Sequence, residues 1–269
     1  MVRSRQPHTV KSDSGQHAFF LRRDFLGASL LLISAFLTSC GLRSVTSSAI
    51  LLFTGTGTSP NDVAVLEAIL KSRRLNYSTV NSSQLNEMAE SQISAHRLLI
   101  VPGGDFVAMG NSLTAGTTAN VRKAVKAGMN YLGICAGGFL AGNFPAPYNS
   151  FNLSSGVKFG FYSAAKNGIR KAVVRITPAD GPALDQYWQD GPQFTGWGEV
   201  VGKYPDGTPA IVEGSVGQGW VILSGVHPEA PSSWQRDLAF NTPVSTDTAY
   251  AKTLIDAALN RITLPHYRD

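Results

Sequence analysis

Four short apolar runs alternate with helix-like segments in the first part of the chain, and the last run ends on a cysteine set between glycines. Ala49-Ile50-Leu51-Leu52-Phe53 is closed by Thr54-Gly55-Thr56-Gly57, and Leu98-Leu99-Ile100-Val101 by Pro102-Gly103-Gly104. Tyr77 to Val80 and Tyr131 to Ile134 are the other two. The continuous apolar runs suit parallel strands buried on both faces. Between the strands, Ser59-Pro60 opens a helix with a hydroxyl cap and a proline in the first position, followed by Val63, Leu66, Ile69 and Leu70 on one face. Ser83 to Glu90 and Ala119 to Ala127 read as further helices, and Gly128 stops the second. A βαβαβαβ order of this kind implies a parallel sheet with right-handed crossovers. Ligands in such sheets sit at the carboxyl ends of the strands, where Gly103-Gly104 and Cys135 both fall.

The second half is richer in strands. Val173 to Ile176, Val200 to Tyr204, Ala210 to Glu213 and Trp220 to Leu223 read as strands, with a hairpin turn at Asp206-Gly207. Ala249 to Arg261 is a closing amphipathic helix. The expected fold is a flavodoxin-like three-layer α/β sandwich around a mostly parallel sheet, spanning residues 49 to 269 as one domain.

The first 39 residues read as an export signal. Arg3, Arg5, Lys11, Arg22 and Arg23 form a positive region, and Phe25 to Leu37 is apolar over a length suited to a signal peptide and short for a membrane span. Arg22-Arg23-Asp24-Phe25-Leu26 resembles a twin-arginine export motif. Leu37-Thr38-Ser39-Cys40 resembles a bacterial lipobox, in which Cys40 is lipidated and becomes the new N-terminus. These motifs imply a lipoprotein anchored in the cell envelope and facing the periplasm, with residues 40–48 as its tether. Gly41 after the cysteine points toward the outer membrane. The partners implied are the export machinery and, through the lipid, the membrane.

Charge and cysteine content narrow the function. The leader holds five Lys/Arg against two Asp/Glu, and the remainder carries 18 against 16. That balance, without a basic stripe, argues against nucleic acid as a partner. The chain has two cysteines, Cys40 and Cys135, so with the first acylated there is no disulfide framework. The five histidines are scattered without ligand spacing, and neither a metal nor a cofactor is expected.

Cys135 has the setting of a nucleophile elbow, a sharp strand-to-helix turn that exposes one side chain at a sheet edge. Free thiols are mostly protonated near neutral pH, so a nucleophilic cysteine needs a base or a positive environment. His227, just after Trp220-Val221-Ile222-Leu223, supplies the candidate base, and Glu229 the carboxylate that would orient its ring. The backbone of Ala136, with that of Gly103 and Gly104, supplies candidate donors for an oxyanion. Pro182, Gln186, Tyr187, Trp188, Asp190, Gln193, Phe194 and Trp197 form a polar and aromatic cluster. Its members Tyr187, Gln193 and Phe194 are candidates for a substrate rim, the other reading being a surface loop with packed aromatics.

Val101-Pro102-Gly103-Gly104, Gly133-Ile134-Cys135-Ala136-Gly137 and His227-Pro228-Glu229 together resemble the oxyanion loop, cysteine elbow and H-x-E of class I glutamine amidotransferase-like domains. More closely, Tyr131 to Gly137 and Leu223 to Glu229 are similar to the amidotransferase-like N-terminal domain of biotin protein ligases, which also exists in stand-alone bacterial forms. Gly181-Pro182, Tyr187 and Ala210 to Gly214 extend the similarity over most of residues 49–230. The resemblance implies Cys135 as nucleophile, His227 as base and Glu229 as its orienting carboxylate. Phe139 stands where amidotransferases carry glutamine or a similar polar residue, so the resemblance stops short of glutamine as substrate. The sequence leaves no length for a ligase domain, and biotin transfer is not expected. Two readings follow. One is a thiol hydrolase of an amide or related acyl bond, acting on a small-molecule or peptide-like substrate. The other is a lipid-tethered binding or scaffold module that keeps the fold without turnover. Redox sensing at Cys135 lacks a resolving thiol.

Overall fold

The structure, a computed structural model, describes residues 48–145, 147–162 and 170–268. The export motif at Arg22 and Arg23, the lipobox at Cys40 and all but the last residue of the tether lie outside the described residues. No helix among the described residues is long and apolar enough to cross a membrane.

Strands β1 (Ile50–Phe53), β2 (Tyr77–Val80), β3 (Leu98–Val101), β4 (Asn130–Ile134) and β11 (Gly219–Ser224) lie side by side in the order β2-β1-β3-β4-β11, all parallel. The sheet continues through β10 (Pro209–Val216), β9 (Glu199–Lys203), β6 (Ala172–Pro178) and β7 (Leu184–Trp188), each antiparallel to its neighbour, while β5 (Gly160–Phe161) and β8 (Pro192–Gln193) pair antiparallel in a separate ribbon. Seven of the nine strands therefore point the same way. β1, β3 and β4 are buried at every position, as their unbroken apolar runs require.

Two cores flank this sheet. On one face Ile50, Leu52, Ile100 and Leu132 meet Leu66 and Leu70 of α1 (Pro60–Ser72) and Leu254 and Ile255 of α7 (Val244–Asn260). On the other, Leu51, Phe53, Leu99 and Tyr131 meet Leu85 of α2 (Ser82–Glu87), Ile93 of α3 (Glu90–Ser94) and Val121 and Val125 of α5 (Ala115–Ala127). This is the expected mixed α/β sandwich, with the 2-1-3-4-5 strand order of flavodoxin-like folds in its parallel half.

Several boundaries differ from the sequence reading. The helix expected over Ser83 to Glu90 is two short helices. Asn81 caps α2 in a reciprocal pair with Gln84, and Met88 and Ala89 turn out of helical geometry before α3. α4 (Phe106–Ser112) was not legible in advance; Asp105 caps it by accepting from the N–H groups of Val107 and Ala108. The stretch Gln186-Tyr187-Trp188 belongs to β7 and is buried, Tyr187 keeping 7% exposure, so that part of the polar and aromatic cluster is sheet rather than loop.

Candidate active site

β4 ends at Cys135, which leaves the strand with φ 49° and ψ −103° before α6 (Ala136–Ala141) begins. Such backbone is strained for a residue with a Cβ, and sites of this kind recur where a side chain must be aimed. Gly137 has a strict steric role: a Cβ there would stand 2.0 Å from the Val101 carbonyl oxygen, because α6 starts hard against β3. Tyr131 ties the same turn from below, its hydroxyl donating to the Gly137 carbonyl at 2.7 Å. α6 is six residues long, so its dipole contributes less to the thiol than a long helix would. Cys135 is 6% exposed, and its Sγ–H donates to the Gln189 carbonyl at 3.6 Å.

His227 follows β11 and is held from two sides. Its backbone N–H donates to the Tyr187 carbonyl at 2.9 Å, which brings the end of the β6–β7 hairpin back over the carboxyl edge of the parallel strands. Its ring stands edge-on to both Tyr187 and Trp234 at centroid distances of 5.7 Å. His227 Nδ1 faces two carboxylates: it donates to Glu229 Oε1 at 2.8 Å and lies 3.0 Å from Asp62 Oδ1. All three side chains are buried. Burial alone would pull the imidazole toward neutrality. The carboxylates of Glu229 and Asp62, with Cys135 adding to them, outweigh it and hold the imidazole pKa well above its ordinary value.

Asp62 was not singled out in the sequence. It is the third residue of α1, after Ser59, whose hydroxyl accepts from the Asp62 N–H at 3.3 Å. An acidic residue in a first helical turn is ordinary, so no local pattern marks it. The only hint was the position of this helix start at the carboxyl end of β1, beside the expected ligand edge. Gly103 is the piece that lets the pair meet. A Cβ on Gly103 would stand 2.5 Å from Asp62 Oδ1 and 2.6 Å from His227 Cε1.

Cys135, Ala136, Gly104, Asp62 and His227 all line one cavity of about 1090 Å³ at the carboxyl edge of the sheet. Glu229 sits behind His227 and does not reach it. Phe106, Phe139 and Phe161 form an aromatic wall, with Phe106 stacked on Phe139 at 4.5 Å. Tyr187, Trp234, Arg236 and Asp237 line it as well. The expected rim needs correction. Tyr187 is in the cavity, whereas Gln193 turns away, its Oε1 accepting from the Thr195 N–H at 2.9 Å. Phe194 is 0% exposed and packs edge-on against Phe159 in the core. Of the two glycines expected at the oxyanion loop, Gly104 lines the cavity, and the Gly103 carbonyl accepts from the Ser59 N–H at 2.9 Å.

Among the described residues, Asp62, His227 and Glu229 are one group whose potential ligand atoms lie within 4.8 Å of one another. Both carboxylates address the same ring nitrogen at 2.8 and 3.0 Å. A nitrogen whose proton is given to the Glu229 carboxylate is not free to ligate a cation, so the geometry is that of a proton-holding cluster.

With this geometry, residues 48–174 match the family described as the N-terminal domain of biotin-protein ligase. A biotin–protein ligase of Schizosaccharomyces pombe is 28% identical over 159 residues, a match that spans 49% of this chain and 25% of that protein. A crystal structure of a glutamine amidotransferase superposes with a TM-score of 0.54 at 19% identity, covering 78% of this chain and 98% of its own. The domain is class I glutamine amidotransferase-like in fold. Within that class it is related to the N-terminal region of biotin-protein ligase.

Proposed function

We propose that this protein is a thiol hydrolase of an amide or related acyl bond, held in the cell envelope by a lipid on Cys40. The observation that carries the reading is the shared cavity: a cysteine in strained elbow geometry opens onto the same space as a buried histidine whose Nδ1 faces two carboxylates. In the reaction, the Cys135 thiolate adds to the carbonyl carbon and forms a C–S bond. The oxyanion takes hydrogen bonds from the backbone N–H groups of Gly104 and Ala136. The C–N bond breaks as His227 gives its proton to the leaving nitrogen, so a free amine departs and a thioester stays on Cys135. Water then attacks the thioester, His227 takes its proton, and the C–S bond breaks to release the acid. With Nδ1 committed to the carboxylates, Nε2 is the ring nitrogen that exchanges the proton. An electrophilic amide analogue tests this: it labels Cys135 in the wild type and leaves Cys135→Ala unlabelled. Equal labelling of both contradicts the reading. Acylation of Cys40, read by mass spectrometry and lost in Cys40→Ser, tests the anchor.

A binding module without turnover is the second reading. It is favoured by the low exposure of Cys135, whose thiol is already engaged by Gln189, and by the aromatic wall on which a ligand can stack. In that case the analogue leaves Cys135 unmodified, and ligand affinity is unchanged in Cys135→Ala.

A further inference from the structure

The two carboxylates on His227 occupy unequal positions. Asp62 lies in the first turn of a thirteen-residue helix, where the backbone N–H groups and helix dipole favour a negative charge. It also lines the cavity, although its side chain is only 4% exposed. Glu229 has neither advantage: it sits behind His227 and its side chain is 0% exposed; each carboxylate leaves one oxygen, Asp62 Oδ1 and Glu229 Oε2, without a hydrogen-bond partner. The charged and titratable groups around the pair are His227 on the loop after β11, Asp62 on α1, Cys135 at the start of α6 and Tyr187 on β7. Two ionised carboxylates against one imidazolium would bury an excess negative charge, and like charges this close do not both ionise readily.

We propose that Asp62, not Glu229, is the carboxylate that carries the charge opposing His227, with Glu229 holding a proton and acting as a neutral orienting group. This deepens the hydrolase reading and rests on it for its catalytic meaning. Asp62 is then a positioning residue: it keeps His227 charged and therefore able to give a proton to the leaving nitrogen. The direction of the carboxyl shifts agrees with this division. Burial raises both, but contact with His227 and the Ser59 hydroxyl brings Asp62 below its ordinary value, while Glu229 stays above its own.

The test uses the full chain carrying Cys40→Ser, which leaves Cys135 as the one thiol. Asp62→Asn removes the proposed charge and Glu229→Gln the proposed carboxyl proton, and each keeps an acceptor. The first readout is the imidazole NMR titration of His227, assigned by its loss in His227→Gln. The expected result is an imidazolium that persists through neutral pH in the parent and in Glu229→Gln, and a neutral ring at pH 7 in Asp62→Asn, with Asp62→Glu restoring the charge. The second readout is Cys135 alkylation at pH 6, expected to fall about tenfold in Asp62→Asn, as for one pKa unit lost by His227, and less than threefold in Glu229→Gln. A neutral ring in Glu229→Gln with a charged one in Asp62→Asn overturns the proposal, and so does equal loss in both. Should Asp62→Asn fail to fold, the parent against Glu229→Gln decides by difference infrared spectroscopy: a protonated carboxyl band that vanishes only with Glu229 supports the proposal, and its absence overturns it. If Cys135 shows no enhanced alkylation in any form, the hydrolase reading fails, while the His227 titration still decides the role of Asp62.

Discussion

Gly103 and His227 are so close that a single methyl group on Gly103 would stand 2.6 Å from the Cε1 of the imidazole. The same methyl would stand 2.5 Å from Asp62 Oδ1. The glycine is thus a spacer between the oxyanion loop and the charged cluster. Gly103→Ala is expected to destabilise the fold by about 1–3 kcal/mol, the usual cost of overpacking, and to bring Cys135 alkylation down to that of His227→Ala. Alkylation kinetics on the folded fraction, with thermal unfolding alongside, check it. Unchanged kinetics would mean that the loop moves freely without disturbing the pair.

Strain at Cys135 predicts an inverted order of stability. With φ at 49°, a residue bearing a Cβ is held in backbone that glycine tolerates better. Cys135→Gly is expected to be more stable than Cys135→Ala by about 1 kcal/mol, the reverse of their order in a relaxed strand. Both lack the thiol and are not labelled. Denaturant unfolding of the two variants measures the difference.

Two buried carboxyls away from the site make stability fall as pH rises. Burial pushes Glu213 and Asp247 up to about 7, from ordinary values of 4.5 and 3.8. Glu213 Oε1 accepts from the Leu264 N–H, and Asp247 Oδ1 accepts from the Gln186 amide at 2.7 Å. The folded state of each holds its proton more tightly than the unfolded chain. The contribution is therefore whole below about pH 4 and is lost as pH rises to about 7. Each is on the order of 3–4 kcal/mol by linkage. Glu213→Gln and Asp247→Asn are expected to flatten the profile between pH 4 and 7 and to raise unfolding temperature at pH 8. A parent profile that rises over this interval contradicts the assignment.

The parallel half of the sheet was legible because β1, β3 and β4 are apolar at every position and end at Gly-rich loops, patterns that survive without context. The elbow was legible for a related reason: close approach of α6 to Val101 admits only glycine at 137, so the sequence records the geometry. β7 was not legible. Gln186 and Asp185 are polar yet buried, because Asp247, Asn241 and Thr242, all distant in sequence, hydrogen-bond to them. Phe194 reads as a rim residue beside polar neighbours, but its ring fills the core against Phe159. Asp62 was hidden for the opposite reason. Its place in a first helical turn already has a sufficient local explanation, and only the folded sheet brings it to His227.

The most direct test of the central claim is the pH dependence of Cys135 alkylation in the full chain carrying Cys40→Ser, compared with the same chain carrying His227→Ala. The account predicts a rate already high near pH 6 in the parent and strongly reduced in the variant, as an assembled thiol and imidazolium require. Rates that follow an ordinary thiol in both proteins would contradict it and leave the elbow as an inherited feature of a binding domain.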